Sequence, residues 1–235
     1  MQWIPDLYKY RHISFDLWMT LIKSDPEFKK KRDLLFWEYF SVDKSAEEVS
    51  AVIRKYDLLT NTINEKVGRN FDTFEIYYLI IDALSVDIEK FSITQLYEFY
   101  SHTEDLLMQH KPVLLNDDIP AALHQLRDSG KTMNILSNTA FIKGSSLRKI
   151  IAYYGIDTCF DFQVYSDETG YSKPGTEIYQ YAYDTLQTTI GKIAKNEVIH
   201  VGDNRISDYD GARTFGFDAL LITNTPVNEP KLQPA

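Results

Sequence analysis

The chain has few of the features that place a protein outside the cell or in a membrane. Its 235 residues include one cysteine, Cys159, so no disulfide can form within the chain, which fits a reducing compartment. No apolar run reaches the roughly 20 residues that a transmembrane helix needs. The first residues, MQWIPDLYKYRH, lack an apolar signal segment. We therefore expect a cytoplasmic protein without a membrane partner.

Basic residues are in the minority. Lysine and arginine total 25 against 34 aspartate and glutamate, which gives a net charge of −9, and no long basic run occurs. An acidic field repels nucleic acid, so a small-molecule substrate is the expected partner. If that substrate is anionic, a metal ion, a lysine or a helix N-terminus must supply local positive charge. The oligomeric state has no signature in the sequence.

Glycine is almost missing from residues 27–110, where Gly68 is the single example. Apolar residues there recur at helical intervals, which predicts a block of about four helices. Three capping boxes mark expected helix starts: Ser45 with Glu48, Asp72 with Glu75, and Ser92 with Gln95.

Helices, glycines and strands alternate after residue 112. The predicted helices 119–129, 145–154 and 207–215 each stop at a glycine, and strands follow at 131–136, 160–165 and 217–222; a further helix, 176–190, precedes a strand at 198–201. Another buried strand is predicted within residues 11–22. Such alternation favours right-handed crossovers and a parallel sheet. The sequence therefore predicts an α/β core domain, residues 1–24 and 111–235, and an inserted all-helical domain, residues 25–110.

Four polar segments follow the predicted strands in order, and parallel sheets place their reactive groups beyond the carboxyl ends of strands. Each segment alone could be a turn or a helix cap. Together they predict one active site: FDLWMTL with Asp16, ILSNT with Ser137 and Asn138, YSKPG with Lys173, and HVGDNRISD with Asp203 and Asp208.

In this order the segments resemble the four motifs of the haloacid dehalogenase (HAD) superfamily, over residues 11–22 and 112–223. The resemblance implies a three-layer, Rossmann-like core, and the helical block takes the place of that superfamily's cap domain. It implies that Asp16 is the covalent nucleophile, that Ser137, Asn138 and Lys173 bind the substrate, and that Ser137 and Lys173 also assist catalysis. The implied ligands of Mg²⁺ are Asp16, the backbone carbonyl of Trp18, Asp203 and Asp208.

Electrostatics independently favours a cation. Asp16, Asp203 and Asp208 would crowd negative charge into one cleft, which raises carboxylate pKa values and partly protonates the nucleophile. Mg²⁺ prefers oxygen ligands and commonly works with carboxylates, water and phosphate.

The pattern departs from the resemblance at Trp18. The superfamily's phosphatases carry there a second aspartate, whose side chain is the general acid and base. Such catalysis contributes about 10²–10⁴-fold, roughly 3–5 kcal/mol of barrier.

Three hypotheses follow. The favoured one is a Mg²⁺-dependent small-molecule phosphatase with an aspartyl-phosphate intermediate. The second is a hydrolase similar to the 2-haloacid dehalogenases, whose halide leaves without a proton; Asp203, and Met19 in place of their usual glycine, argue against it. The third is a catalytically weak binding or regulatory protein on this scaffold.

Overall fold

A five-stranded parallel sheet forms the centre of the molecule in the computed structural model, which describes residues 7–86 and 92–222. The sheet order is β5-β4-β1-β6-β7, and β2 and β3 form a separate antiparallel ribbon. The strands are β1 His12–Phe15, β2 Ile22–Lys23, β3 Val113–Leu114, β4 Thr132–Ser137, β5 Phe162–Tyr165, β6 Val198–Gly202 and β7 Asp218–Leu221. The predicted parallel sheet is confirmed.

Helices cover both faces of the sheet. The α-helices in the described residues are α1 Pro26–Tyr39, α2 Ala46–Val67, α3 Thr73–Ala83, α4 Ile93–Gln109, α5 Ile119–Asp128, α6 Gly144–Tyr153, α7 Ser166–Thr169, α8 Thr176–Ile190 and α9 Gly211–Phe215. Helices α5 and α6 pack with Ile13 and Phe15 of β1 in one apolar core. Helices α8 and α9 pack with Val198 of β6 in a second core. The result is the three-layer, Rossmann-like α/β fold that the sequence predicts.

Both faces of the central strands are covered, so polar and apolar side chains alike are buried along them. All four residues of β1 and all five of β6 are buried. Because β1 pairs with β4 on one side and β6 on the other, its carboxyl end lies in the middle of the sheet edge. Asp16 follows directly.

The helices α1 to α4 lie between β2 and β3 and are called here the helical insertion, residues 25–110. They share an apolar core that includes Phe36, Tyr77 and Phe99. Each of the three predicted capping boxes forms, with both reciprocal hydrogen bonds present. The insertion is therefore helical where the sequence predicts it. The bounds of the two predicted domains remain a prediction. Residues 1–6 and 223–235 of the predicted core domain and residues 87–91 of the predicted helical domain lie outside the described part of the chain.

Three local details differ from the sequence prediction. The single strand expected in residues 11–22 ends at Phe15, and the chain turns through Met19, with φ of 58°, into β2. Lys173 does not follow a strand directly, because α7 intervenes after β5. The helix predicted at 207–215 is a π-helical turn, Arg205–Asp210, that leads into α9. Among the helices of the described chain, none is long and apolar enough to cross a membrane.

Candidate active site

Asp16, the predicted nucleophile, lies at the centre of a buried polar cluster at the carboxyl edge of the sheet. Its side chain is held at both oxygens: Lys173 Nζ donates to Oδ1 at 2.8 Å, and Thr20 Oγ1 donates to Oδ2 at 3.1 Å. Its backbone N–H donates to the Val201 carbonyl at 2.8 Å. The backbone of Asp16 is thus tied to β6, and its carboxylate is held by Lys173 and by the turn after β1.

Lys173 connects the carboxylates. The side chain is almost completely buried, and its ammonium group donates to Asp16 Oδ1, to Asp208 Oδ1 at 2.6 Å and to the Leu136 carbonyl at 2.7 Å. These three bonds use all three N–H donors of a lysine. The side chain of Asn138 fixes the Lys173 backbone, accepting from its N–H at 2.8 Å and donating to its carbonyl at 2.9 Å.

Asp208 is aimed at Lys173 by the π-helical turn. Its Oδ2 accepts from the Asn204 backbone N–H at 2.9 Å, and its Oδ1 lies 3.2 Å from His200 Nε2. Gly202 makes this approach possible, because a Cβ at that position would lie 2.2 Å from the Asp208 carboxyl group. The glycine that ends β6 is therefore required for close contact between strand and carboxylate.

Three carboxylates converge here. One oxygen from each of Asp16, Asp203 and Asp208 lies within 4.8 Å of the other two, although Asp203 is only partly buried. This all-oxygen donor set suits Mg²⁺, which takes carboxylates, carbonyls and water as ligands. The three carboxylates are the groups that could hold the ion, and the ion would offset their negative charge; the Trp18 carbonyl stays a predicted ligand.

The protonation state of each carboxyl group in the cluster depends on its burial and on its distance from the ammonium group of Lys173. Burial raises the pKa of Asp16 to about 7; Lys173 opposes this effect, whereas Asp208 and Asp203 add to it. Burial also raises the pKa of Asp203. In Asp208 burial is outweighed by Lys173 and His200, which hold its pKa below the ordinary value. A divalent cation beside Asp16 would lower its pKa and keep the nucleophile ionised.

The remaining predicted site residues lie at the same edge with fewer direct contacts. Ser137, fully buried at the end of β4, donates its hydroxyl to the Asn138 carbonyl at 3.2 Å. Trp18 forms a backbone bridge with Ile22, packs against the apolar core of the sheet and is one of the residues that line the cleft below the insertion. Direct side-chain contact thus joins Asp16, Lys173 and Asp208.

Sequence reasoning missed residues that support this cluster. Thr20 bonds Asp16 from four residues away, a spacing that could have suggested a local hydrogen bond. His200, to which the sequence assigns no partner, is a polar residue within an otherwise apolar buried strand, and this contrast was the available signal. Glu65, on α2, accepts from Asn204 Nδ2 and Ser207 Oγ at 2.8 and 2.9 Å; a contact so distant in sequence has no local signature.

The fold and the site agree with the comparison with known families. The family model described as haloacid dehalogenase-like hydrolase matches residues 10–216. The chain belongs to the family of haloacid dehalogenase-like hydrolases.

The individual proteins that resemble this chain share 30% or less of its sequence in the two comparisons that follow. The haloacid dehalogenase-like hydrolase domain-containing protein 3 of Xenopus laevis is 30% identical over 112 residues, which are 48% of this chain and 41% of that protein. The match thus spans less than half of the relative's length. The magnesium-bound HAD hydrolase YfnB of Bacillus subtilis superposes with a TM-score of 0.65 at 17% identity, covering 91% of this chain and 89% of that chain.

The fold is shared by enzymes with different chemistry. An L-2-haloacid dehalogenase from Xanthobacter autotrophicus superposes with a TM-score of 0.57 at 18% identity, covering 93% of this chain and 79% of that chain. A HAD phosphatase from Thermococcus onnurineus gives 0.58 at 18% identity, with coverages of 94% and 90%. The fold alone therefore does not choose between ester and carbon–halogen hydrolysis.

Proposed function

We propose that this hydrolase is a Mg²⁺-dependent phosphatase of small phosphomonoesters that works through an aspartyl-phosphate on Asp16. The observation that carries the proposal is the approach of Asp203 to Asp16 and Asp208 within 4.8 Å. Three carboxylates around one ammonium group leave a surplus of negative charge that a divalent cation would offset. A phosphoryl substrate brings further oxygen ligands for such an ion.

The residues divide the reaction between them. The Asp16 carboxylate attacks phosphorus, forming an acyl phosphate as the ester P–O bond breaks and its electron pair leaves with the alcohol oxygen. Water then cleaves the acyl phosphate, which releases inorganic phosphate and restores Asp16. Lys173 holds the carboxylate in place and offsets the charge of the incoming phosphoryl group. Mg²⁺ supplies additional charge compensation when bound.

A specific observation favours a second candidate, carbon–halogen hydrolysis of a 2-haloacid. Trp18 stands where a proton donor is expected, and a halide leaves without a proton. In that reaction Asp16 would displace the halide from carbon, and water would hydrolyse the resulting ester. The approach of Asp203 to Asp16 counts against this candidate, because a third carboxylate favours a metal ion, which displacement of a halide does not need.

One screen separates the two candidates. Phosphate monoesters and 2-haloacids are offered in parallel, each with Mg²⁺ and with a chelator, and released phosphate and halide are measured. We expect phosphate release that requires Mg²⁺ and disappears in Asp16→Asn. Halide release that ignores the chelator would establish the second candidate, and no release from either class would leave a binding or regulatory protein.

A further inference from the structure

A cleft of about 360 Å³ opens between the helical insertion and the core. Trp18 and Asn138 line its core side, so the cleft adjoins the turn after Asp16 and the residue that holds Lys173. Arg32 of α1 and Arg54 and Asp57 of α2 line the opposite side. Its volume lies within the range of small-molecule sites. Its position suits the part of a substrate that departs after attack by Asp16.

Arg32 is a buried cation whose orientation is fixed. Its side chain is 6% exposed, and its guanidinium group stacks 4.3 Å from the ring centroid of Phe141, another cleft residue. Two nitrogens, Nε and Nη2, donate to Asp33 Oδ1 at 3.0 and 2.7 Å. Within the described chain, Nη1 has no hydrogen-bond partner. A buried guanidinium group with an unused donor beside a cleft is suited to an anionic ligand.

Arg54 is held much more loosely. Its side chain is 61% exposed, and its contact with Asp57 Oδ2 is 3.3 Å long. Arg54 is exposed and its contact with the partly buried Asp57 is long, so the contact contributes little to stability and the guanidinium group can turn towards a ligand anion. The second oxygen of Asp57 accepts from Asn61 Nδ2 at 3.2 Å, which keeps a partner for that carboxylate.

We propose that Arg32 and Arg54 bind a carboxylate on the leaving group of the substrate, an assignment that rests on the proposed phosphatase function. Charge favours a carboxylate over a second phosphate. Three cations, Lys29 and the two arginines, line the cleft. The arginines are paired with two carboxylates, Asp33 and Asp57. The net charge of this group is therefore +1, which a single carboxylate of the ligand would neutralise. The rings of Trp18 and Phe141 suit a flat, apolar carbon skeleton between the two anionic ends.

Binding of the leaving group alone tests the site without turnover. The 3- and 4-isomers of hydroxybenzoate are titrated calorimetrically, and the corresponding hydroxybenzamides serve as uncharged controls of the same shape. We expect at least one acid to bind about 10-fold tighter than its amide, since hydrogen bonds to charged groups commonly contribute this much. Arg54→Gln should remove the difference.

Matched variants separate this site from general effects of charge. Arg213→Gln deletes an exposed arginine paired with Asp218 at 3.1 Å and should retain the full preference for the acid. Arg32→Lys keeps the charge but loses the planar fork, and it should weaken acid binding while leaving amide binding unchanged. Thermal melting checks that each variant is folded.

Hydrolysis provides the second measurement. For carboxyphenyl phosphates, Arg54→Gln should lower kcat/KM about 10-fold, mainly through KM, with no change for the carbamoylphenyl esters. If neither ester is hydrolysed but the acids still bind through Arg54, the phosphatase proposal fails while the carboxylate site stands. Equal affinity of acid and amide in the parent protein, or an Arg54→Gln variant that keeps the preference, overturns the inference.

Discussion

If the protein is the phosphatase proposed above, Trp18 should determine which leaving groups depart quickly. An indole has no proton to give to a departing alkoxide at neutral pH, so the leaving group must carry the developing negative charge itself. We expect kcat/KM to fall steeply across a series of aryl and alkyl phosphates as the leaving group becomes more basic. Initial rates of phosphate release across that series give the slope.

The converse substitution is the control for this prediction. Trp18→Asp restores a carboxyl group at the position, and it should flatten the dependence on leaving-group basicity. A flat dependence in the parent protein would show that another group donates the proton.

Thr20 holds Asp16, the proposed nucleophile, through one hydrogen bond. The residue is 1% exposed and donates to Asp16 Oδ2 at 3.1 Å, so Thr20→Val removes the bond with little change of shape. We expect kcat to fall about 10-fold, the equivalent of one hydrogen bond to a charged group. Thr60→Val is the matched control: Thr60 is fully buried, and within the described residues its hydroxyl bonds only carbonyls of its own helix, at 2.8 and 3.4 Å. A full rate in Thr20→Val would contradict the positioning role.

Elements that obey local rules were predictable from the sequence. Capping boxes located the starts of α2, α3 and α4, and Gly130, Gly155 and Gly216 have the positive φ values expected after helices. The π-helical turn was not predictable, because it depends on tertiary contact between Asp208 and the end of β6. The helical spacing of residues 207–215 contains no sign of the extra residue in that turn.

The end of β6 offers a test of this tertiary contact. A methyl group at residue 202 would lie 2.2 Å from the Asp208 carboxyl group, so Gly202→Ala must displace either the strand or the carboxylate. We expect at least a 100-fold loss of kcat, because a misplacement of about 1 Å can have an effect of this size. Steady-state kinetics measures the loss.

Gly130→Ala is a suitable control for Gly202→Ala. Gly130 has φ of 83° and no atom within 4 Å of an added Cβ. The substitution should cost about 1–2 kcal/mol of stability through backbone strain and leave kcat unchanged. Equal activity of the two alanine variants would refute the requirement for close approach at residue 202.

At the scale of the whole molecule, stability should depend on the protonation of His12. This residue is fully buried between Thr132 and Asn134, with both ring nitrogens 2.8 Å from oxygen atoms, and burial lowers its pKa from 6.5 to about 4. Between pH 6.5 and 4, His12 is protonated in the unfolded chain but stays neutral in the folded protein. The stabilisation is therefore complete above pH 6.5 and is lost as pH falls towards 4.

The expected loss from His12 across this window is about 3 kcal/mol of unfolding free energy. Urea unfolding at a series of pH values measures it, with His12→Gln for comparison. The variant should show a shallower decline between pH 6.5 and 4. Parallel curves for the two proteins would mean that His12 does not titrate differently on folding.

Mg²⁺ should stabilise the folded chain as a whole. An ion that binds only the folded state adds about 2.7 kcal/mol at 100 times its Kd, which corresponds to an increase in Tm of about 5–10 °C for a chain of this size. Asp203→Asn should largely remove the increase. Asp210→Asn, which alters an exposed carboxylate paired with Arg205, should retain it, and an increase unchanged in Asp203→Asn would contradict the ligand assignment.

More of the candidate active site than of the cleft above it could be predicted from the sequence. Asp16, Lys173, Asp203 and Asp208 each sit in a recognisable segment after a strand or a short helix, so their convergence follows from the topology of a parallel sheet. The pairing of Glu65 with Asn204, and the position of Arg32 over Phe141, depend on how the insertion rests on the core. No local pattern encodes that docking.

The ribbon of β2 and β3 affects how a protein of this fold can evolve. Ile22 faces Leu114 and Lys23 faces Val113 across this ribbon, so the chain leaves the core and returns to it at adjacent points. Because these ends meet, a different segment with adjacent ends could stand in place of the helices without altering the order of the central strands. If the insertion selects the substrate, as the proposed carboxylate site implies, then substrate preference can evolve while the reacting groups of the core stay the same.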